Sequence, residues 1–293
     1  MVVVSYRCRE LLRDCLDSLR AHPPQRPMQV VVVDNASGDG TAEMVAGEYP
    51  EVELHASASN LGFAAATNLG IRSSEAPYVL ALNPDTRVTD GALDTVLGVL
   101  ESHQDVGVAG PGLVREDGSP DHAAKRSFPT PLSALGHFTG IGRRPGAPAE
   151  LAAYTAPRVE SGPVDAVNGA FMLMRREALE RVGGFDEEYW MYMEDLDLSY
   201  RLAEAGWVTW FEPAATVVHV KGASAGRHRS LRLNLAFHDG MRRFYREHYA
   251  PRRSPFVNAA VYAGIGLKLA VAVTRSAAGR AVDAVRGRSA ADG

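Results

Sequence analysis

Three runs of consecutive apolar residues mark the first third of the chain, at positions 2–4, 30–33 and 78–82. None of them alternates with polar positions, as a strand with one solvent-facing side would. Uninterrupted apolar runs are typical of central parallel strands that are buried on both faces. Leucine and valine recur at helical spacing in the intervening segments, at Leu12, Leu16, Leu19, Val96, Leu97 and Leu100. This order of strands and helices over residues 2–110 predicts an α/β fold with a doubly wound, Rossmann-like sheet that binds a nucleotide.

Polar residues follow each of these runs. Ser5 and Tyr6 follow the first, Asp34 the second and Asp85 the third. Ligands of open α/β sheets bind beyond the carboxyl ends of the strands, so these side chains are candidates for one shared site. The segment around Asp85 is rich in turn formers, and a plain turn would explain it equally well. An acid at this place could instead hold a divalent cation together with substrate phosphates.

A second acidic feature is the adjacent pair Glu194 and Asp195. The pair lies between an aromatic stretch at residues 189–192 and a helix predicted from the apolar positions that follow. Acids in the first turn of a helix are favoured by the helix dipole, so capping alone would explain Asp195. Aromatic side chains exclude water and raise the basicity of a carboxylate, which favours a catalytic base.

Six motifs follow one another along the chain: Val-Val-Val-Ser-Tyr at 2–6, Val-Val-Asp-Asn-Ala-Ser at 32–37, Asn-Leu-Gly-Phe-Ala-Ala-Ala-Thr-Asn at 60–68, Leu-Asn-Pro-Asp-Thr at 82–86, Val-Gly-Gly-Phe-Asp at 182–186 and Tyr-Met-Glu-Asp-Leu-Asp-Leu at 192–198. In this order they closely resemble glycosyltransferase family 2, and within it the bacterial rhamnosyltransferases. The resemblance covers about residues 2–250. It implies a single large domain of the glycosyltransferase A type, with a C-terminal helical extension, that transfers a sugar from a nucleotide donor with inversion.

The resemblance implies where the nucleotide binds. The implied residues are Ser5, Tyr6, Asp34, Asn60, Asn68 and Asn83. Tyr6 would stack on a pyrimidine, and Asp34 would form a hydrogen bond with it. Asp85 matches the last acid of the family's metal-binding motif, whose first position is Asn83 here. One protein carboxylate would therefore hold Mg²⁺ or Mn²⁺, which keeps several ligands that are not protein groups.

Three further residues take roles from the resemblance. Related enzymes place a histidine near the metal or the diphosphate at the position of His219, for which a buried, hydrogen-bonded histidine is the alternative. Asp195 matches the general base that removes the proton of the acceptor hydroxyl. Two adjacent carboxylates cannot both be strongly basic for one proton. We therefore expect Glu194 to orient Asp195, to bind an acceptor hydroxyl or to contact Arg201.

Diphosphate and acceptor binding are assigned to a further set of residues: Lys125, Arg126, Gly169, Trp190, Lys221 and Ser224. Lys125 and Arg126 belong to a proline-rich segment at 115–162, for which a surface loop is the alternative. Gly169 is expected to kink a strand over residues 164–174, next to the donor sugar.

Charge divides the chain at about residue 220. Residues 1–220 carry 17 basic and 31 acidic side chains, a net of −14, whereas residues 221–293 carry 14 and 4, a net of +10. An apolar run at 256–274 lies in the basic part. These features predict a helical extension over residues 226–293 that lies on an anionic membrane surface. A helix that spans the membrane and a helix packed against the catalytic domain are the alternatives. Nucleic-acid motifs are lacking, so we expect no nucleic-acid partner.

The predicted catalytic domain covers residues 1–225, with a nucleotide-binding half at 1–110 and an acceptor-binding half at 111–225. Cys8 and Cys15 are expected to be reduced thiols. The expected location is the cytoplasm, peripheral to the inner face of the cell membrane, and the enzyme is compatible with a homodimer.

The expected reaction moves L-rhamnose from dTDP-L-rhamnose to a sugar linked to polyprenyl diphosphate, in the assembly of the cell wall or a surface polysaccharide. A family 2 enzyme that uses a UDP-hexose is the alternative. A nucleotidyltransferase should show a glycine-rich loop after the first strand, which is lacking here. A non-catalytic nucleotide-binding protein would need neither Asp85 nor Asp195.

Overall fold

The computed structural model describes residues 1–130, 160–220 and 230–291, with side chains up to residue 280. The chain divides into two compact units. The first comprises residues 1–188 and 194–224, and the second comprises residues 189–193 and 225–293. Lys221 and Ser224 lie outside the described residues, as does most of the proline-rich segment.

The first unit begins with alternating strands and helices, as the apolar runs predict. The elements are β1 Val2–Ser5, α1 Arg9–Ala21, β2 Val31–Asp34, α2 Thr41–Glu48, β3 Glu53–Ala56, α3 Phe63–Ile71 and β4 Tyr78–Leu82. Strand β1 pairs in parallel with both β2 and β4, and β2 pairs in parallel with β3. The carboxyl ends of β1, β2 and β4 therefore meet at one edge of the sheet.

The rest of the unit extends this sheet with antiparallel pairs. Its elements are β5 Thr86–Val88, α4 Ala92–Ser102, β6 Val106–Val114, β7 Lys125–Arg126, β8 Gly162–Val164, β9 Ala166–Val167, β10 Phe171–Arg175, α5 Arg176–Val182, α6 Glu194–Glu204 and β11 Val208–His219. The strand order is β3-β2-β1-β4-β10-β6-β11-β5, and β8 pairs with β11. Strand β10 is antiparallel to both of its neighbours. The α/β fold class is confirmed, as a mixed sheet.

The strand expected over residues 164–174 is wrong, because the segment divides into β8, β9 and β10. Strand β9 pairs with β7 in a separate two-stranded sheet, and β10 joins the main sheet. Between them, the Asn168 side chain accepts a hydrogen bond from the backbone N–H of Ala170 at 2.9 Å. The Gly169 N–H points to the Asp195 carboxylate and not to a neighbouring strand. These local bonds interrupt the strand ladder.

Apolar side chains fill both faces of the main sheet. Helices α1, α2 and α4 cover one face with buried residues such as Leu16, Val45 and Val96. Helices α3, α5 and α6 cover the other face with Ala66, Leu179 and Leu198, among others. Burial on both faces explains why the strand sequences are uniformly apolar. It also leaves the strand ends as the places where polar side chains collect.

The second unit is helical. Helix α7, Leu231–His248, is followed by a short 3₁₀ turn, Ala250–Arg252, and a long helix α8, Pro255–Ala291. The Tyr245 hydroxyl donates to the Asn258 side chain at 2.7 Å, and its ring meets that of Tyr262 edge to face. Residues 189–193 pack on α7, where the Tyr189 hydroxyl donates to Glu247 at 3.1 Å.

Helix α8 is long and apolar enough to cross a membrane over Pro255–Arg280, by length and composition alone. An 18-residue stretch of this segment has a mean hydropathy of 1.7, and only 6% of that stretch is buried. The side chain of Phe256 is 88% exposed and that of Leu267 is 69% exposed. The helix therefore presents apolar side chains that the described part of the chain leaves exposed.

Candidate active site

The ends of β1 and β2 bring the first predicted residues together. Ser5 and Asp34 are partners in the parallel register of these strands, and both are buried. The backbone N–H of Ser37 donates to Asp34 Oδ1 at 3.2 Å, whereas Asp34 Oδ2 has no hydrogen bond among the described residues. The Tyr6 side chain is 38% exposed. A carboxylate oxygen with no partner among the described residues, at the end of the strand next to the one that leads to an exposed ring, is an arrangement that can bind a nucleobase.

The two predicted asparagines of the next motif hold loops in place. Asn60 Oδ1 accepts hydrogen bonds from the Asn35 side chain at 3.2 Å and from the Gly62 N–H at 2.9 Å. Asn68 donates to the Phe185 carbonyl at 2.8 Å and to Glu187 at 3.0 Å. Its Oδ1 accepts the Phe185 N–H at 3.1 Å. These bonds engage both amide hydrogens of Asn68, so its nucleotide-binding role stays a prediction.

Asp85, His219 and Asp121 form a buried cluster at the other end of the site. Asp85 lies in the turn between β4 and β5, and His219 ends β11, which pairs with β5. The Val220 N–H donates to the Asp85 carbonyl at 2.8 Å, which fixes the two segments side by side. His219 Nε2 lies 3.5 Å from Asp85 Oδ1, and its Nδ1 lies 3.6 Å from Asp121 Oδ2. The imidazole ring is thus between two carboxylates.

The charge of His219 follows from these neighbours. Burial alone would lower its pKa, but Asp121 and Asp85 outweigh that effect and raise the pKa to about 9. The ring is therefore protonated at neutral pH when no cation is present. Asp121 was not predicted from the sequence, where it is one turn-forming residue among several.

The Asp85 and His219 side chains fit a divalent cation. A carboxylate oxygen and a neutral imidazole nitrogen are both ligands of Mn²⁺, and oxygen is the ligand that Mg²⁺ prefers. Two ligand atoms at right angles, each about 2.1 Å from one ion, are about 3.0 Å apart. The observed 3.5 Å between Asp85 Oδ1 and His219 Nε2 is close to that spacing. Asn83 is adjacent, with its backbone carbonyl accepting from the Thr86 hydroxyl at 2.7 Å.

Asp195 lies in the first turn of α6 and is held by three donors. Arg126 forms an ion pair with Asp195 Oδ2. The backbone N–H groups of Gly169 and Leu196 donate to Oδ2 and Oδ1 at 2.9 and 2.8 Å. A Cβ at position 169 would lie 3.1 Å from Oδ2, so glycine permits the close approach. The contacts orient the carboxylate and leave lone pairs for a substrate proton.

Glu194 has a different environment from its neighbour. It is buried and, within the described part of the chain, its carboxyl oxygen Oε2 has no hydrogen bond. Burial raises the pKa of Glu194 to about 8, and the charge of Asp195 adds to the rise. At neutral pH Glu194 is therefore mainly protonated. The expected contact with Arg201 is wrong, because Arg201 pairs with Asp197 at 2.7 Å and donates to the carbonyls of Val182 and Gly184.

The remaining predicted residues lie in different parts of the chain. Lys125 is next to Arg126 on β7, with its ammonium 4.3 Å from the centre of the Phe211 ring. Burial lowers the pKa of Lys125. Trp190 belongs to the second unit, where Arg232 stacks on its ring at 3.9 Å. The roles of these residues in diphosphate and acceptor binding stay predictions, as do those of Lys221 and Ser224.

Comparisons with known proteins identify the family of the chain. A family model described as glycosyltransferase like family 2 matches residues 1–236. The chain is 35% identical over 245 residues to the N-acetylglucosaminyl-diphospho-decaprenol L-rhamnosyltransferase of Mycobacterium tuberculosis, covering 78% of this chain and 77% of that one. It is 26% identical over 228 residues to the rhamnosyltransferase WbbL of Escherichia coli K12, covering 75% and 82%.

Solved structures show the same fold at low sequence identity. The mannosyltransferase PcManGT from Pyrobaculum calidifontis, in complex with GDP-Man and Mn²⁺, has a TM-score of 0.57 and 20% identity, with 97% of this chain and 74% of that chain covered. The likeness concerns the fold alone. With the family model matched over most of the chain and the acidic groups in place at the strand ends, this chain belongs to glycosyltransferase family 2 and is a glycosyltransferase.

Proposed function

We propose that the enzyme transfers L-rhamnose from dTDP-L-rhamnose, with inversion, to a sugar carried on polyprenyl diphosphate. The observation that carries this proposal is the 35% identity to the mycobacterial N-acetylglucosaminyl-diphospho-decaprenol L-rhamnosyltransferase over 77% of that protein. The resemblance to the E. coli rhamnosyltransferase supports the same donor sugar. Such an acceptor belongs to the assembly of a cell wall or surface polysaccharide.

Asp195 is the group proposed to start the reaction. It accepts the proton of the acceptor hydroxyl while that oxygen attacks the anomeric carbon of the donor. The bond from that carbon to the diphosphate oxygen breaks, and the nucleoside diphosphate leaves from the opposite face, which inverts the configuration. A positioned general base contributes roughly 10² to 10⁴ to the rate. The Gly169 and Leu196 N–H groups hold the carboxylate for this step.

Arg126 and Glu194 adjust the charge around this base. The Arg126 guanidinium neutralises the negative charge of Asp195 while the substrates are absent. Glu194, protonated at neutral pH, offers an O–H donor beside the base and no second charge. We assign to Glu194 the orientation of Asp195 from a buried position, since its Oε2 is shielded from solvent and is engaged by no other described group.

Asp85 and His219 are proposed to hold the divalent metal, with Mg²⁺ and Mn²⁺ both compatible with the ligand set. When bound, the ion would neutralise the charge that grows on the departing diphosphate. Ser5, Tyr6 and Asp34 would bind the base of the nucleotide, with the Tyr6 ring as the stacking surface. Two solved structures of this fold contain Mn²⁺, which supports a metal in this enzyme.

The experiment that tests the function is a donor screen. Purified enzyme is incubated with a polyprenyl-diphosphate-linked N-acetylglucosamine and, in turn, dTDP-L-rhamnose, UDP-glucose, UDP-galactose or GDP-mannose, and the released nucleoside diphosphate is measured. The proposal expects release with dTDP-L-rhamnose alone, and loss of release on metal chelation and in Asp85→Ala. Turnover with a UDP-hexose only would overturn the rhamnose assignment and leave the transferase assignment standing.

A further inference from the structure

Asp121 is the second carboxylate of the buried cluster. Asp121 lies on the side of the His219 ring opposite to Asp85. Its Oδ2 faces Nδ1 at 3.6 Å, while Asp85 Oδ1 faces Nε2 at 3.5 Å. A histidine uses one ring nitrogen for a metal and commonly donates the N–H of the other to a carboxylate. Asp121, His219 and Asp85 have the arrangement that such a metal-binding histidine and its supporting carboxylate require.

The loop that carries Asp121 is anchored on both sides of this residue. The Asp121 N–H donates to the Leu113 carbonyl at 2.8 Å, and the Ala124 N–H donates to the Asp121 carbonyl at 3.0 Å. The other carboxylate oxygen, Oδ1, accepts the Ala123 N–H at 3.0 Å. Asp121 is buried, so the loop fixes both the position and the rotation of the carboxylate.

The sheet connects this loop directly to His219. Leu113 lies on β6, where it is the register partner of Val217 on β11, two residues before His219. Asp121 is therefore tied to the strand next to the one that carries the histidine. Because β11 also pairs with β5, the same sheet edge fixes Asp85. Three adjacent strands thus determine the relative placement of the two carboxylates and the ring.

We infer that Asp121 is a positioning residue that holds the His219 ring by its Nδ1–H, so that Nε2 faces Asp85 and the cation. This inference rests on the proposed metal site. Asp121 would act through the ring and not on the ion directly, since the imidazole lies between Asp121 and Asp85. In other metal sites, removing such a partner costs about 10- to 100-fold in metal affinity.

The test measures Mn²⁺ binding to the full-length protein by electron paramagnetic resonance of the free ion, with and without dTDP. Asp121→Ala should weaken binding by about 10- to 100-fold. Asp121→Asn keeps an acceptor oxygen for Nδ1–H and should bind more tightly than Asp121→Ala. Asp117→Ala, on the same loop but with its carboxylate directed at Ser119, is the matched control and should bind as the wild type does.

A double-substitution cycle separates positioning from other roles. If Asp121 acts only through the ring, Asp121→Ala combined with His219→Gln should bind Mn²⁺ as weakly as His219→Gln alone. Additive losses would overturn the inference, because they would mean that Asp121 acts on the ion independently. Undiminished Mn²⁺ binding in Asp121→Ala would overturn it as well, while the metal site would survive if Asp85→Ala still loses the ion. Undiminished binding in Asp85→Ala would reject both.

Discussion

Individual residues of the acidic pair have opposite environments although they are adjacent in sequence. Asp195 is held by a guanidinium and two backbone N–H groups, whereas Glu194 is buried with an oxygen that accepts no hydrogen bond from the described residues. The difference arises because consecutive side chains of a helix point about 100° apart, so each meets a different neighbour. One residue of the pair is thereby suited to carry the charge and the other to stay protonated.

Replacing the base should separate turnover from binding. Asp195→Asn keeps the shape of the side chain but removes the proton acceptor, so we expect kcat to fall by on the order of 10² or more. The affinity for dTDP, measured by calorimetry, should stay within about twofold of the wild type because the nucleotide does not need the base. Glu204→Gln, exposed at the far end of the same helix, is the control. Full activity of Asp195→Asn would move the role of base to Glu194.

The buried glutamate should make stability depend on pH. A carboxyl group whose pKa is raised from about 4.3 binds its proton more tightly in the folded state. Its contribution to the free energy of unfolding therefore falls as the pH rises through its unfolded value to about 8. Glu194→Gln removes this dependence, so the Tm of the variant relative to the wild type should be higher at pH 8.5 than at pH 5, by about 2 °C for each kcal/mol of stability that the ionised Glu194 costs.

Calorimetry or circular dichroism at both pH values measures that difference. Glu75→Gln, exposed in the loop before β4, is the control here, and its Tm relative to the wild type should be the same at pH 5 and at pH 8.5. A Tm advantage of Glu194→Gln that is equal at pH 5 and pH 8.5 would contradict a buried, proton-binding Glu194.

At the scale of elements, the sequence predicts the parallel half of the sheet well, since uniform apolar runs and helical stripes are local signals. The insertion of β10 between β4 and β6 is not local. The apolar run at 171–174 predicts a strand, but the run does not indicate that this strand is antiparallel or that it pairs with β4 and β6. The ion pair of Arg126 with Asp195 and the approach of Asp121 to His219 depend on such long-range pairing. The sequence therefore predicts Arg126 and Asp195 as site residues but not the ion pair between them. It does not identify Asp121 at all.

The turn between β9 and β10 should be sensitive to one added methyl group. In Gly169→Ala the new Cβ would lie 3.1 Å from Asp195 Oδ2 and 3.3 Å from its Cβ, so the base must shift. A displacement of about 1 Å can cost 10²-fold in rate, and we expect a loss of kcat of roughly 10-fold for this smaller shift. Binding of dTDP should be unchanged.

A second glycine-to-alanine substitution provides the control. Gly98 is in the middle of α4, where an added methyl carbon would meet nothing within 4 Å. Gly98→Ala should therefore stabilise the protein by up to about 1 kcal/mol and leave kcat unchanged. If Gly169→Ala has the same kcat as Gly98→Ala, the contact between residue 169 and Asp195 does not affect the rate of transfer.

At the scale of the whole molecule, charge and apolar exposure coincide in the C-terminal part. Residues 221–293 carry a net charge of +10, and α8 exposes Phe256, Leu267 and Val271. Near an anionic surface each cation contributes about 1 kcal/mol before screening. Fully burying a leucine or phenylalanine side chain contributes roughly 1.5–3 kcal/mol more. We propose that α8 places the enzyme on the cytoplasmic face of the membrane, where a polyprenyl-linked acceptor would be found.

Sedimentation of the full-length protein with lipid vesicles tests this placement. Binding to vesicles that contain phosphatidylglycerol should exceed binding to pure phosphatidylcholine vesicles and should weaken as salt shortens the screening length from about 10 Å at 0.1 M to about 3 Å at 1 M. Leu267→Asp combined with Val271→Asp should reduce binding by on the order of 10² or more, since two apolar side chains and two charges change. Leu231→Asp, exposed on α7, is the matched control and should bind as the wild type does.

Because the substituted side chains are already exposed, the variants should keep the wild-type Tm and dTDP affinity. Equal binding to both vesicle types, unaffected by the α8 substitutions, would reject the membrane role of α8 while leaving the transfer reaction in place.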